Sequence, residues 1–144
     1  MVVIRIEEMD LSEVKVKYPD AETFTFGDSK GLCEELTALV VSGRKTATCD
    51  TLIFYESGKG KMPCVGRVDI AMTWEGKPAV ALRTVEIEIK KFNEVGEDFA
   101  LDEGENDDLE GWRKDHREYF ERNGGFDPEM KLVCERFEVV EVYG

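Results

Sequence analysis

Residues 26–48 read FGDSKGLCEELTALVVSGRKTAT, and the reading of this stretch decides the fold. Asp28 or Ser29 can offer a side-chain oxygen to the unpaired amides of a helix start. Leu32, Leu36, Leu39 and Val40 then recur at i, i+4, i+7 and i+8, with Glu34, Glu35 and Thr37 off that stripe. Gly43 stands where a helix needs a left-handed residue to stop. The spacing predicts a helix over residues 30–42. Arg44 to Thr48 emerges from its end, and β-branched threonines open a strand there.

Working outward from this helix, the period changes to two. Val68, Ile70, Met72 and Trp74 alternate with Arg67, Asp69, Ala71 and Thr73, the pattern of a strand with one buried face. Glu75-Gly76-Lys77-Pro78 reads as a turn. A long strand follows, with Val80 and Leu82 in one phase and Val85, Ile87 and Ile89 in the other. The slip near Thr84 predicts a bulge of the kind that lets a sheet curl. Leu109, Trp112, His116, Tyr119 and Phe120 share one face of a second helix that stops at Asn123-Gly124-Gly125. A last strand is expected over residues 131–143. Before residue 24, Val2, Ile4 and Ile6 alternate like a strand, while Leu11 to Tyr18 fits neither period. Strands and helices do not alternate strictly, which argues against a doubly wound parallel sheet. The expected class is α+β, a small domain built on a curved, mostly antiparallel sheet. One domain is expected over 1–144, with 1–23 as a lead-in.

Composition narrows the function classes. The 144 residues carry 19 basic and 32 acidic side chains, a net charge of −13, so most of the surface should repel a polyanion. Broad non-specific DNA binding is therefore not expected. The charge is uneven. Nine acids and no base lie between Glu94 and Glu110, whereas Gly43 to Arg67 holds five bases against two acids. A small basic pocket on an acidic body fits this pattern. No apolar run approaches a membrane span, and the first residues hold no signal-peptide core, so a cytoplasmic location without a membrane partner is expected. Cys33, Cys49, Cys64 and Cys134 form no close pair, and His116 is far from them in sequence. No metal site or cofactor is expected; the cysteines read as small buried hydrophobes.

Phosphate-binding glycine loops and nucleophile elbows are absent. His116 lies on the apolar stripe of its helix and reads as packed rather than catalytic, and Trp112 reads as core. Glu103 and Glu105 sit in a charge run that reads, on composition alone, as a solvated face. The segment Gly43-Arg44-Lys45-Thr46-Ala47-Thr48 can present cations and hydroxyls to a ligand, or simply complement a helix dipole. Tyr55, in a loop that can border a cleft, and Trp74 are candidates for stacking on a base. Arg83, inside a strong strand, is a candidate for a ligand contact or for a structural ion pair.

Gly43-x-Lys45-x-x-Thr48 resembles the signature of the ASCH domain, a relative of the PUA fold. Phe26-Gly27-Asp28-Ser29, Val65-Gly66, Glu103-Gly104-Glu105, Trp112-Arg113-x-x-His116 and Cys134-Glu135-Arg136-Phe137 follow in the order of a bacterial ASCH branch. Arg67 departs from that pattern, which has an acid there, as does the opening segment. The resemblance implies a small, curved, mostly antiparallel β-barrel flanked by helices, with a cleft lined by the Gly-x-Lys-x-x-Thr segment. It also implies a choice of activities. One ASCH type hydrolyses N4-acetylcytidine with a lysine, a threonine and a glutamate, which match Lys45, Thr48 and Glu105 as catalytic residues. Arg44, Thr46, Tyr55 and Arg83 are then the substrate-binding candidates, and the partner is a modified nucleoside or a short RNA. Another ASCH protein is a metal-assisted ribonuclease, for which Asp102, Glu105 and Asp107 could gather a cation. Other members act in coactivator or RNA-linked complexes, as non-catalytic binders. In the hydrolase reading Lys45 deprotonates Thr48 only if it is neutral. A close Glu105 raises the lysine pKa instead and makes Lys45 an electrostatic clamp on the oxyanion.

Overall fold

The computed structural model describes residues 3–144, so Val2, the first residue of the alternating opening, lies outside the described residues. Strand β1 (Ile4–Ile6) leads to helix α1 (Leu11–Lys17) and the two-residue strand β2 (Thr23–Phe24). Helix α2 (Lys30–Val41), strand β3 (Ala47–Thr51) and the single-turn helix α3 (Leu52–Glu56) follow. Strands β4 (Val68–Met72) and β5 (Pro78–Lys91) form a hairpin. Helices α4 (Glu97–Asp102) and α5 (Leu109–Arg122) precede the last strand, β6 (Lys131–Tyr143). The N-cap of α2 is Ser29, whose hydroxyl accepts from Leu32 N at 3.2 Å. For α5 it is Asp108, which accepts from Gly111 N at 2.7 Å.

The strands form a six-stranded sheet in the order β1-β6-β5-β4-β2, with β3 also paired to β6. Three ladders are antiparallel (β3 with β6, β4 with β5, β5 with β6), and β1 and β2 pair in parallel with β6 and β4. The register of β5 on β6 shifts between Thr84 and Glu86, where the hydrophobic phase slips in the sequence. A second shift, between Ala81 and Leu82, leaves no trace in that pattern. The barrel expectation needs correction. β2 pairs only with β4, while β1 and β3 share the opposite edge along β6; among the described residues no ladder joins the two edges. The fold is a mixed α+β arrangement around an open, curved sheet.

The core alternates across this sheet, as strand geometry requires. Ala71, Val80, Leu82 and Phe137 pack with Phe26, Leu36 and Val40 beneath α2. Ile70, Ala81 and Tyr143 pack with Val14 of α1. Leu132 and Cys134 face Trp112 and Phe120 of α5 and Phe99 of α4. The lead-in is thus tied to the sheet, with Val14 fully buried.

Candidate functional site

The end of α2 sets the site. Gly43, at φ +82°, turns the chain so that the amides of Arg44 and Lys45 both donate to Leu39 O at 3.0 Å. Thr46 N then donates to Asp102 O at 2.8 Å, and Thr46 O accepts from Phe137 N at 3.0 Å. These bonds anchor the backbone around Lys45 to α2, to the end of α4 and to β6. From there the Lys45 side chain runs inward and is 1% exposed.

Glu103 and Glu105 meet it from the acidic run. Lys45 Nζ donates to Glu103 Oε1 at 3.2 Å and to Glu105 Oε2 at 2.8 Å. Gly104 makes this possible. It sits at φ +75°, and a Cβ there would lie 2.6 Å from Arg44 O and 2.9 Å from Lys45 N. Only a residue without a side chain lets the 103–105 turn approach the Lys45 backbone so closely.

Glu103 is the hub of a buried polar cluster. Its Oε2 accepts from Trp112 Nε1 and lies 3.2 Å from His116 Nε2 and 3.5 Å from Cys49 Sγ. His116 Nδ1 pairs with Trp112 O at 2.9 Å, and a carbonyl only accepts, so that nitrogen carries hydrogen. Burial pulls the His116 pKa down, but the Glu103 carboxylate outweighs it and holds it above the ordinary value. The imidazolium, with a donor on each nitrogen, fits both partners. Burial by itself pushes the Glu103 carboxyl up; Lys45 and His116 reverse this and hold it at about 2. Burial likewise disfavours the Lys45 ammonium, yet Glu103 and Glu105 together raise its pKa. Lys45 is therefore a cation at neutral pH, which argues against its acting as a base.

Lys45, Thr48 and Glu105 all line a cavity of about 730 Å³, a size that suits a small organic ligand. Tyr55, Phe54 and Tyr119 contribute aromatic surface. The lining carries seven carboxyl groups (Glu22, Asp50, Asp69, Glu103, Glu105, Asp115 and Glu135) against Lys45, Lys59, Lys61 and the His116 imidazolium. The expected basic pocket is thus an acidic one, because the lysine at its heart is matched by two glutamates.

Other expected site residues lie elsewhere. The Arg44 guanidinium is largely exposed and faces Asp107 at 3.6 Å. Thr46 is exposed, with its hydroxyl 3.4 Å from Asp102 O. Arg83 pairs with Glu138 at 2.9 Å. None of these three lines the cavity. Trp74 borders a second, shallower groove beside α2. Asp102, Glu105 and Asp107 do not converge on a cation, since each faces a different base: Arg136, Lys45 and Arg44. Arg67 forms a two-bonded pair with Asp69, at 2.8 and 2.9 Å.

Glu103 escaped the sequence reading, which took it for part of a solvated run. The separation of His116 from the cysteines was likewise one of sequence only. Cys49, Glu103 and His116 place one potential metal-ligand atom each within 4.8 Å of one another. The Glu103 carboxylate there is already engaged by Lys45 and Trp112, so this donor set is a polar core as it stands.

An open curved sheet with a lysine held between two glutamates beside a cavity is the arrangement of a PUA-like α+β protein. The chain belongs to the ASCH domain family, whose model matches residues 22–141. The crystal structure of an ASCH domain from Lactobacillus crispatus is similar, with a TM-score of 0.77 and 32% identity over 88% of this chain and 84% of that one. A protein of Enterococcus faecalis is similar at a TM-score of 0.79 and 35% identity, over 91% of this chain and 85% of that one. No curated protein matches the chain. No helix among the described residues is long and apolar enough to cross a membrane.

Proposed function

We propose that the cavity binds a modified cytidine nucleoside and hydrolyses its N-acyl amide. The reading rests on one observation: Lys45 Nζ, held 2.8 Å from Glu105, borders a cavity that Thr48 also lines. The Thr48 hydroxyl attacks the acyl carbon, and Glu105 takes its proton, directly or through a water. The Lys45 ammonium stabilises the oxyanion that develops on the acyl oxygen. Glu105 returns the proton to the departing exocyclic nitrogen, which leaves as the free amine of cytidine. Water, deprotonated by the same carboxylate, then attacks the acyl carbon. The bond to the Thr48 oxygen breaks, and that oxygen takes the proton back from Glu105 as the acid leaves. The sum is amide plus water giving acid plus amine.

The acidic lining supports a neutral nucleoside over a long phosphodiester chain, whose phosphates the carboxylates repel. The three separately paired carboxylates around Asp102 weigh against the metal-assisted ribonuclease reading. Incubation with N4-acetylcytidine, followed by chromatography, tests the proposal. Wild type is expected to release cytidine and Thr48→Val to release none. Equal turnover by the two would overturn the role of Thr48.

A further inference from the structure

Five of the seven carboxyl groups in the cavity take no part in the Lys45 cluster, and Asp50 and Glu135 are two of them. Thr48 and Asp50 are two residues apart on β3, and Glu135 is the pairing partner of Thr48 on β6, so the three share one face of the sheet. That face turns to the cavity, which all three line. Neither Asp50 nor Glu135 forms an ion pair with a described residue. Asp50 Oδ1 accepts from Thr51 N at 2.8 Å, and Glu135 Oε2 accepts from the Thr84 hydroxyl at 2.5 Å. Each therefore keeps one carboxyl oxygen without a hydrogen-bond partner among the described residues. Tyr55 lines the same cavity, and its phenol is pushed up by burial and then by the charges of Asp50 and Glu135.

Partly buried carboxyl groups without a cation are costly unless a ligand completes them. We infer that Asp50 and Glu135 are the specificity-determining residues of the cavity, reading a heterocycle edge that places an N–H donor beside a ring nitrogen. The two oxygens left open, one from each carboxyl group, meet such an edge with two parallel hydrogen bonds. One oxygen accepts from the N–H, and the other shares a single proton with the ring nitrogen. The pairing holds whether that proton resides on the acid or on the ring. The cytosine edge has this pattern. The uracil edge, with a ring N–H beside a carbonyl, places its acceptor oxygen against a carboxylate. Tyr55 supplies the aromatic surface on which such a ring can lie.

The inference rests on the nucleoside reading of the cavity, but its test separates the two. Isothermal titration of the full chain with cytidine and with uridine measures the preference without any turnover. Wild type should bind cytidine about tenfold or more tightly than uridine, the discrimination typical of a two-bonded edge contact. Asp50→Asn combined with Glu135→Gln, which preserves shape, should cut the preference to about twofold or less. Equal affinity for both nucleosides in wild type, or a preference that survives the double substitution, overturns the inference. Retained cytidine preference in a protein that leaves N4-acetylcytidine intact upholds the inference and removes the hydrolase.

Discussion

Lys45 and Glu103 form an ion pair of 3.2 Å in which both side chains are 1% exposed. Fifty-eight residues separate them in sequence, so only the tertiary fold can join them. The pair is completed by Glu105, His116, Trp112 and Cys49, so neither charge is left without compensation. Such a pair contributes little net stability but is costly to break.

Glu103→Ala should therefore destabilise the fold by about 3–5 kcal/mol, leaving a buried ammonium and the His116 ring without their carboxylate. Urea denaturation of the variant beside wild type measures this. A midpoint unchanged from wild type would mean that the cluster does not hold the fold.

The same pair predicts an acid limb. The Glu103 pKa is depressed to about 2 from an ordinary 4.5, so the unfolded chain takes up the proton first as pH falls. The stability it contributes is complete above the ordinary value and is lost as pH falls from 4.5 through about 2. Stability measured along that range should drop more steeply in wild type than in Glu103→Gln. Parallel curves would show that another carboxylate sets the limb.

Asp50 has the opposite sign. Burial raises its pKa from 3.8 to about 6, so the folded state binds the proton more tightly than the unfolded state. Its favourable contribution is present below 3.8 and is lost as pH rises through about 6. Asp50→Asn should therefore stabilise the protein at pH values near 7, on the order of 1–3 kcal/mol, while lowering the preference for cytidine over uridine. Thermal melts across that range, set beside the titrations, check both effects. A variant less stable than wild type at neutral pH would contradict the account.

Gly104 predicts a geometric effect. Gly104→Ala places a Cβ against Arg44 O at a positive φ, so the 103–105 turn must move away from Lys45. The strain amounts to about 1–3 kcal/mol, and the Lys45–Glu105 contact is lost with the displacement. Turnover is expected to fall more than stability does. A fully active Gly104→Ala protein would show that the close approach is not needed.

Much of this frame is legible in residues whose pattern is long. The stripe of α2, the phase slip at Thr84 and the Val-rich run of β6 are periodic signals that packing did not override. Helices α3 and α4 span about one turn each and carry no measurable period, so they escaped notice. So did α1, whose single buried residue is Val14. Lys45, Thr48 and Glu105 came from the motif, and the cavity brings them together. Glu103 could not be separated from its eight acidic neighbours by composition. What distinguishes it is its position at the end of α4, facing Trp112 and His116, and that is a property of the tertiary fold. The closed barrel was an expectation of resemblance, and the short β2 leaves the sheet open.

The most direct measurement is a single-turnover assay of N4-acetylcytidine with wild type, Lys45→Met and Glu105→Gln. The account predicts stoichiometric release of cytidine and acetate by wild type, and rates lowered by about a hundredfold or more in both variants. Wild type that leaves the amide intact, or variants that match it, would contradict the assignment of Lys45 and Glu105 to amide hydrolysis.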